Sequence, residues 1–315
     1  MMDFLQQRLT DLELHGWDEY INYWFFIAMM ALFAFELIVM AIKRNFSWDL
    51  VGDSITNFIT LFAYRFIGGL IYLLFYLTGF FWIYENFSIT QLPMTWLSLL
   101  GCILLADVIY YWEHRFMHVC GLGWATHTVH HSSPHFNISV AYRFGPLDGF
   151  FPFFFHAPLV MLGFHPFMVF LAEALVQLYQ TALHTQMVRK LPRPIEFIMN
   201  TPSHHRVHHA TNTKYIDKNY AGIFIIWDRM FGTFAEEDEK VKFGVYPRIN
   251  SVNPFTVFFH GFAKLGKQLW EAPSWGYRFQ LLIRPPIWAW EQEQKRKREA
   301  AQAKAESKTD AEATA

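Results

Sequence analysis

Three short stretches of the sequence are crowded with histidine: HRFMH at residues 114–118, HTVHH at 127–131 and HHRVHH at 204–209. All but two of the fifteen histidines lie between residues 114 and 209. The chain around them is apolar and rich in Phe and Trp. Ionisable residues are costly inside a membrane, so histidines at such regular spacing indicate a shared use. We therefore expect a membrane scaffold that holds these three histidine boxes together at one bilayer surface.

The composition is that of an integral membrane protein. Of the 315 residues, 53% are hydrophobic and 17% are charged, whereas a soluble domain has about 25% charged residues. The formal net charge of −1 argues against a nucleic-acid partner, because nucleic-acid-binding domains are basic. The N-terminal residues lack the basic segment and early apolar run of a cleaved signal peptide, which predicts that the first apolar run stays as a membrane anchor.

Long apolar runs predict an all-α integral membrane protein. Residues 20–44, 55–84 and 95–112 are each long enough to cross about 30 Å of hydrocarbon. Residues 146–184 form two shorter apolar runs around a turn at Gly163-Phe164-His165-Pro166, which predicts a helical hairpin. We expect four to five transmembrane helices and a helical cap that holds a histidine-rich site for two metal ions.

The side of the membrane follows from the basic residues. Lys43-Arg44, Arg189-Lys190-Arg193 and the run KRKR at 295–298 all fall on one side if five spans are counted, and the histidine boxes share that side. The positive-inside rule makes this side cytoplasmic. A hairpin that only re-enters the membrane leaves the boxes on the same side, since it returns to the face it left.

The spacing within the boxes is that of metal ligands on helices. Residues i, i+3 and i+4 share one face of an α-helix, so each box presents two or three imidazoles together. One zinc ion takes four ligands, or three and a water, which is fewer than the boxes offer, so we predict two ions. With His184, which ends an apolar helix on the same side, the predicted metal ligands are His114, His118, His127, His130, His131, His184, His205, His208 and His209.

Further residues are expected to support the metal ligands or to contact a substrate. Metal-bound imidazoles commonly donate their second N–H to a carboxylate or carbonyl. Candidates for this supporting role are His204, Asp107, Glu113, Asp148, Asp217 and Asp228, although a buried Asp107 could equally pair with Arg65. Candidates for a substrate pocket are Asn137, Tyr142, Asn219, Tyr220 and Trp227. The lone histidines His15, His135, His156, His165 and His260 are left out of the site.

The order HxxxH, HxxHH and HxxHH, with a membrane hairpin before the third box, resembles the membrane fatty acid hydroxylase and sterol desaturase superfamily. The stretches TPSHHRVHH at 201–209, DKNYAG at 217–222 and IWDRMFGTF at 226–234 are similar to its alkylglycerol monooxygenase-like members. One position departs from the pattern, because Val119 stands where such relatives often carry Glu. The resemblance divides the chain into residues 1–50, with an interfacial helix and the first span, a catalytic domain at 51–265, and a polar helix with a disordered tail at 266–315.

This resemblance implies a membrane-bound oxidoreductase with a non-haem di-iron centre. Such an enzyme would use O2 to hydroxylate an alkyl chain of a lipid within the bilayer, with ether-lipid oxidation as the first reading and sterol or fatty acyl hydroxylation or desaturation as the alternative. Electrons would come from an external donor, a reduced pterin or a separate reductase. Imidazole ligands alone leave the metal open, since they suit iron, copper, nickel and zinc alike.

Two other classes of function are disfavoured by the boxes themselves. A zinc hydrolase would place a general base within its motif, as in HExxH, and no box carries that Glu. A metal transporter would hold its ligands near the bilayer midplane between repeated halves, whereas these histidines lie at predicted helix ends and the chain shows no internal repeat.

Overall fold

Three helices of the computed structural model, which describes residues 11–313, are long and apolar enough to cross a bilayer. They are α1 (Asp11–Ile42), whose candidate span is Tyr20–Ile42, α2 (Trp48–Ile71) and α4 (Trp96–Val119). α2 continues through a π-helical segment (Tyr72–Phe80) into α3 (Phe81–Phe87). α1 is apolar on nearly all sides and exposes Trp24, Phe35 and Ile38, as a lipid-facing helix should.

The predicted hairpin forms, but its helices are short. α6 (Phe151–Met161) has 11 residues and α7 (Pro166–Thr181) has 16, whereas a span needs about 20. The all-helical class is therefore confirmed, with three candidate membrane spans plus a hairpin in place of a firm count of four or five. Up to residue 10, the predicted interfacial helix at 3–18 lies outside the described residues. From Asp11 onward the chain is already part of α1.

The remaining elements are helices and loops that form the cap. Thr213–Tyr215 is a 3-10 turn, and residues 210 and 243 share an isolated antiparallel bridge. The C-terminal helix extends to Ala313, through the segment in which the sequence predicts a disordered tail. The cap elements are α5 (Gly121–His131), a 3-10 turn (Ile138–Tyr142), α8 (Arg193–Ile198), α9 (Pro202–His208), α10 (Ile226–Phe231), α11 (Pro254–Trp270), α12 (Trp275–Ile283) and α13 (Pro286–Ala313).

The largest core packs the hairpin against α4. Phe80 is fully buried between the rings of Phe153 and Phe170, with centroids 5.0 and 5.7 Å away. Cys102 and Ala106 on α4 are also fully buried in this cluster. Stacked aromatic pairs add to the free energy gained from burying their area. This packing fixes the end of α7, and therefore His184, relative to α4.

One buried acid in each span ties that span to the cap. Glu36 of α1 accepts hydrogen bonds from the Ile138 amide (3.0 Å) and the Thr185 hydroxyl (2.7 Å). Asp53 of α2 accepts from Arg143 (2.9 Å), and Asp107 of α4 binds backbone amides near residue 223. Because buried polar groups need partners, these acids hold the cap on the spans in one register.

Arg143 is the most connected of these links. Its side chain is 1% exposed and also donates to Asn57 Oδ1 (2.7 Å), to the Val129 carbonyl (2.9 Å) and to Ser132 Oγ (2.9 Å). One guanidinium therefore joins α2 to the C-terminal end of α5, which carries the second histidine box.

Asp53→Asn should destabilise the protein by about 3–5 kcal/mol, because it leaves the buried Arg143 charge without its counterion. Denaturant unfolding in detergent micelles measures this loss. Asp49→Asn makes the same change one turn earlier at an exposed position and should stay within about 0.5 kcal/mol. Equal unfolding free energies for the two variants would contradict the role given to this pair.

Candidate metal centre

All nine histidines predicted as metal ligands meet where the ends of α4 and α7 contact the cap, in two adjoining groups. In each group the available ligand atoms lie within 4.8 Å of one another. We call them the five-histidine group and the four-histidine group. The first consists of His114, His118, His127, His131 and His208, and the second of His130, His184, His205 and His209.

Helix geometry explains why one box serves both groups. Neighbouring residues are about 100° apart around an α-helix, so His130 points away from His131 although the two are adjacent on α5. His130 reaches the four-histidine group, whereas His127 and His131 reach the other. The end of α9 divides its box in the same way between the adjacent His208 and His209. His208 reaches the five-histidine group, and His209, together with His205, reaches the four-histidine group. The groups touch where His131 stacks on His209, with ring centroids 4.2 Å apart.

Backbone carbonyls determine which ring nitrogen carries the hydrogen. Four of the nine rings place Nδ1 within hydrogen-bond distance of a carbonyl oxygen, which can only accept. The neutral rings therefore carry their hydrogen on Nδ1 and present a lone pair at Nε2. The pairs are His114 with Tyr220 (2.9 Å), His130 with Arg143 (3.2 Å), His184 with Gln180 (2.9 Å) and His208 with Lys218 (3.1 Å).

The lone pairs left by this arrangement converge. Nε2 of His184 lies 3.2 Å from Nε2 of His130, and neither atom has a hydrogen to share, so a cation between them would relieve the repulsion. Four further ring nitrogens are buried without a hydrogen-bond partner: Nε2 of His118, His208 and His209, and Nδ1 of His205. Buried acceptors of this kind fit metal ions, which require unprotonated imidazole.

Burial keeps these imidazoles neutral. It lowers the pKa of His184 to about 4. Removal from water, followed by repulsion among neighbouring histidines, holds the pKa of six other ligand candidates in the cap well below the usual value. These are His127, His130, His131, His205, His208 and His209. At neutral pH these candidate ligands therefore need not lose protons before a metal ion binds.

Two of the predicted supporting acids approach a ligand candidate. Asp217 Oδ1 lies 3.9 Å from His118 Nδ1, and Asp148 Oδ1 lies 3.9 Å from His127 Nδ1. Both separations exceed hydrogen-bond length. The partners that make hydrogen bonds are the backbone carbonyls, which no sequence signal marks because nearly every residue offers one.

Asp107 and Asp228 act on the backbone and touch none of the nine rings. Asp228 accepts from the amides of Tyr220 and Ala221, both at 2.8 Å. Asp107 accepts from the Ile223 amide (2.5 Å) and from Trp227 Nε1 (2.7 Å), and this is the partnership observed in place of the alternative with Arg65. Together they hold the loop whose Tyr220 carbonyl orients His114.

His204 and Glu113 also lie outside both groups. His204 Nε2 is 3.0 Å from Glu196 Oε2, which fastens α9 to α8. Burial raises the pKa of Glu196, but hydrogen bonds from His204 and its neighbours outweigh this and lower it to about 2. Glu113 has its nearest basic neighbour in His156, whose Nδ1 is 3.5 Å from Oε2.

A cavity of about 650 Å³ leads from the spans to the histidines. His114, His127, His130 and His184 line one end, and Phe26, Phe62 and Phe170 line more distant parts. Of the predicted pocket residues only Tyr142 lines this cavity. Asn137 and Asn219 instead bind backbone groups nearby, Trp227 binds Asp107, and the Tyr220 ring packs 5.2 Å from His118.

Residues 99–233 match the fatty acid hydroxylase family. Human alkylglycerol monooxygenase is 37% identical over 269 residues, which is 84% of this chain and 58% of that protein. The zebrafish (Danio rerio) alkylglycerol monooxygenase is 41% identical over 218 residues, 67% of this chain and 47% of that protein. No solved structure matches the chain.

The spans and the paired histidine groups define a membrane protein with a histidine-rich site suited to two metal ions. Over residues 99–233, which contain both groups, the chain belongs to the fatty acid hydroxylase family. The chain corresponds to about half the length of the curated relatives it matches.

His205→Ala and His208→Ala should each lower the metal content by about one ion per chain, since each removes a ligand from a different group. Elemental analysis of the purified protein measures this, with about two ions per chain expected in the wild type. His135→Ala, which removes a histidine outside both groups, serves as the control. A wild-type content of one ion, or unchanged content in both variants, would contradict the two-group site.

The metal-free protein should lose stability as the pH falls from 6.5 towards 4, in part through His184. The unfolded chain takes up a proton at His184 near pH 6.5, whereas the folded chain does so near pH 4, so protonation favours unfolding within this window. His184→Gln lacks this contribution, and the difference between the two stability curves should change by about 3 kcal/mol across the window. Curves that stay parallel from pH 7 to 4 would argue against a neutral, buried His184.

Proposed function

We propose that this protein is a membrane-bound, O2-dependent lipid monooxygenase that uses two iron ions to hydroxylate an alkyl chain, with an ether lipid of the alkylglycerol type as substrate. The observation that carries the proposal is the cavity that runs between the candidate spans and ends on both histidine groups. An alkyl chain dissolves in the bilayer, so a cavity between spans gives it a path to the histidines without passing through water.

The chain's own residues would bind and orient the lipid. Phe26, Phe62 and Phe170 offer apolar contacts along the cavity. Phe170 and Thr181 lie about three turns apart on α7, roughly 16 Å along the helix axis, which is long enough to align an extended chain. Apolar walls of this kind also exclude water from the reacting end.

The histidines would hold one ion in each group. Two iron ions bound there would supply the activation of O2 that hydroxylation of an unactivated C–H bond requires. The carbonyls of Tyr220, Arg143 and Gln180 would keep three of these rings oriented, by accepting from Nδ1. Electrons would come from an external donor, a reduced pterin or a separate reductase.

The arrangement in the membrane belongs to the same proposal. By the positive-inside rule, the basic residues at Lys43-Arg44, Arg189-Lys190-Arg193 and 295–298 would put the histidine groups on the cytoplasmic face. α1, α2, α4 and the α6–α7 hairpin would together form four to five membrane-inserted helices. The catalytic domain would comprise residues 51–265, flanked by the first span and by the polar C-terminal helices.

The purified, iron-loaded protein in lipid nanodiscs should convert 1-O-hexadecylglycerol when supplied with a tetrahydropterin and 18O2, and should place labelled oxygen in the product. Mass spectrometry of the lipid measures this, with His208→Ala as the inactive control. Conversion of a sterol or a fatty acyl chain with no conversion of the ether lipid would move the protein to the alternative reading. Full activity with zinc alone, or without O2, would overturn the mechanism.

A further inference from the structure

The wall of the cavity next to the five-histidine group is polar. Glu113 of α4 and Asp148, just before α6, both line it beside His114 and His127. Arg65 and Glu173 also line the cavity, so three carboxyl groups share it with one guanidinium. A path for an alkyl chain alone would need no such groups, because burying charge is costly.

Two oxygen atoms in this wall are buried and have no hydrogen-bond donor. They are Oε2 of Glu113 and Oδ1 of Asp148. The side chain of Glu113 is 6% exposed and that of Asp148 is 9% exposed. Asp148 uses its other oxygen, which accepts from the Gly145 amide at 2.5 Å.

The neighbouring basic groups do not satisfy these two atoms. His156 Nδ1, 3.5 Å from Glu113, hydrogen-bonds the Pro152 carbonyl at 3.1 Å. His127 Nδ1 is 3.9 Å from Asp148, beyond hydrogen-bond length. A buried acceptor without a donor is unfavourable, so a molecule that enters the cavity and donates hydrogen bonds gains affinity there.

We infer that Glu113 and Asp148 form a subsite for the head group of the lipid, where their carboxyl groups hydrogen-bond its hydroxyl groups. This inference rests on the proposed function and names two residues that select its substrate. The hydroxyls of an uncharged polyol head group bind the two free carboxylate oxygens beside His114 and His127, while the alkyl chain extends between the spans.

The test is a binding measurement on the iron-loaded protein in nanodiscs without any reductant, so that no turnover occurs. The two probes are 1-O-hexadecylglycerol and its 2,3-di-O-methyl ether, which has the same chain but no hydroxyl. Since two hydrogen bonds together change affinity by about tenfold or more, the diol should bind at least about tenfold more tightly. Glu113→Gln and Asp148→Asn should each lower this ratio to within about threefold.

Glu85→Gln is the matched control, because Glu85 lies on α3 with an exposed side chain outside the cavity lining. It should keep the wild-type ratio. Unchanged affinity for the dimethyl ether and unchanged iron content in each variant show that the cavity and the metal site are intact. A wild-type ratio near one, or the full ratio in both cavity variants, overturns the subsite.

The result is separable from the proposed function. Selective binding of the diol that depends on Glu113 and Asp148, with no oxidation once reductant is added, supports the subsite and rejects the monooxygenase. Oxidation of both probes at equal affinity does the opposite.

Discussion

The candidate metal site depends on holding imidazole lone pairs close to one another. His130 and His184 approach to 3.2 Å with their hydrogens committed to carbonyls on the far side. Such an approach is unfavourable without a cation and is sustained only if the backbone is fixed independently. The acids at Glu36, Asp53 and Asp107 provide that, since each reaches from a span into the cap. These buried polar contacts inside an apolar protein therefore hold the imidazole rings in position.

The histidine boxes could be predicted because their signal is local. A spacing of three or four residues places side chains on one helix face, and this needs no knowledge of the fold. His184 could be proposed from the sequence for a related reason, since it ends an apolar helix on the side shared by the boxes. The division into groups of five and four could not be predicted from the sequence, because it depends on how α5 and α9 are rotated against α4 and α7.

The supporting contacts were harder to foresee than the ligand candidates. Asp107 was expected to face a histidine or Arg65, yet it binds the amides near residue 223. A carboxylate buried in a span signals a need for partners but does not say which ones. Of the pocket candidates, Tyr142 lines the cavity, whereas Asn219 binds the His204 carbonyl and Trp227 binds Asp107. Glu113 lines the wall of the cavity, and only the tertiary structure reveals this position.

The sharing of α5 and α9 between the two groups has a consequence for how the site is assembled. An ion held by His127 and His131 immobilises the same helix end that presents His130, and an ion held by His208 does so for His205. Ordering that the first ion imposes need not be repeated for the second. Filling of the two positions is therefore thermodynamically coupled, and binding of the first ion makes binding of the second more favourable.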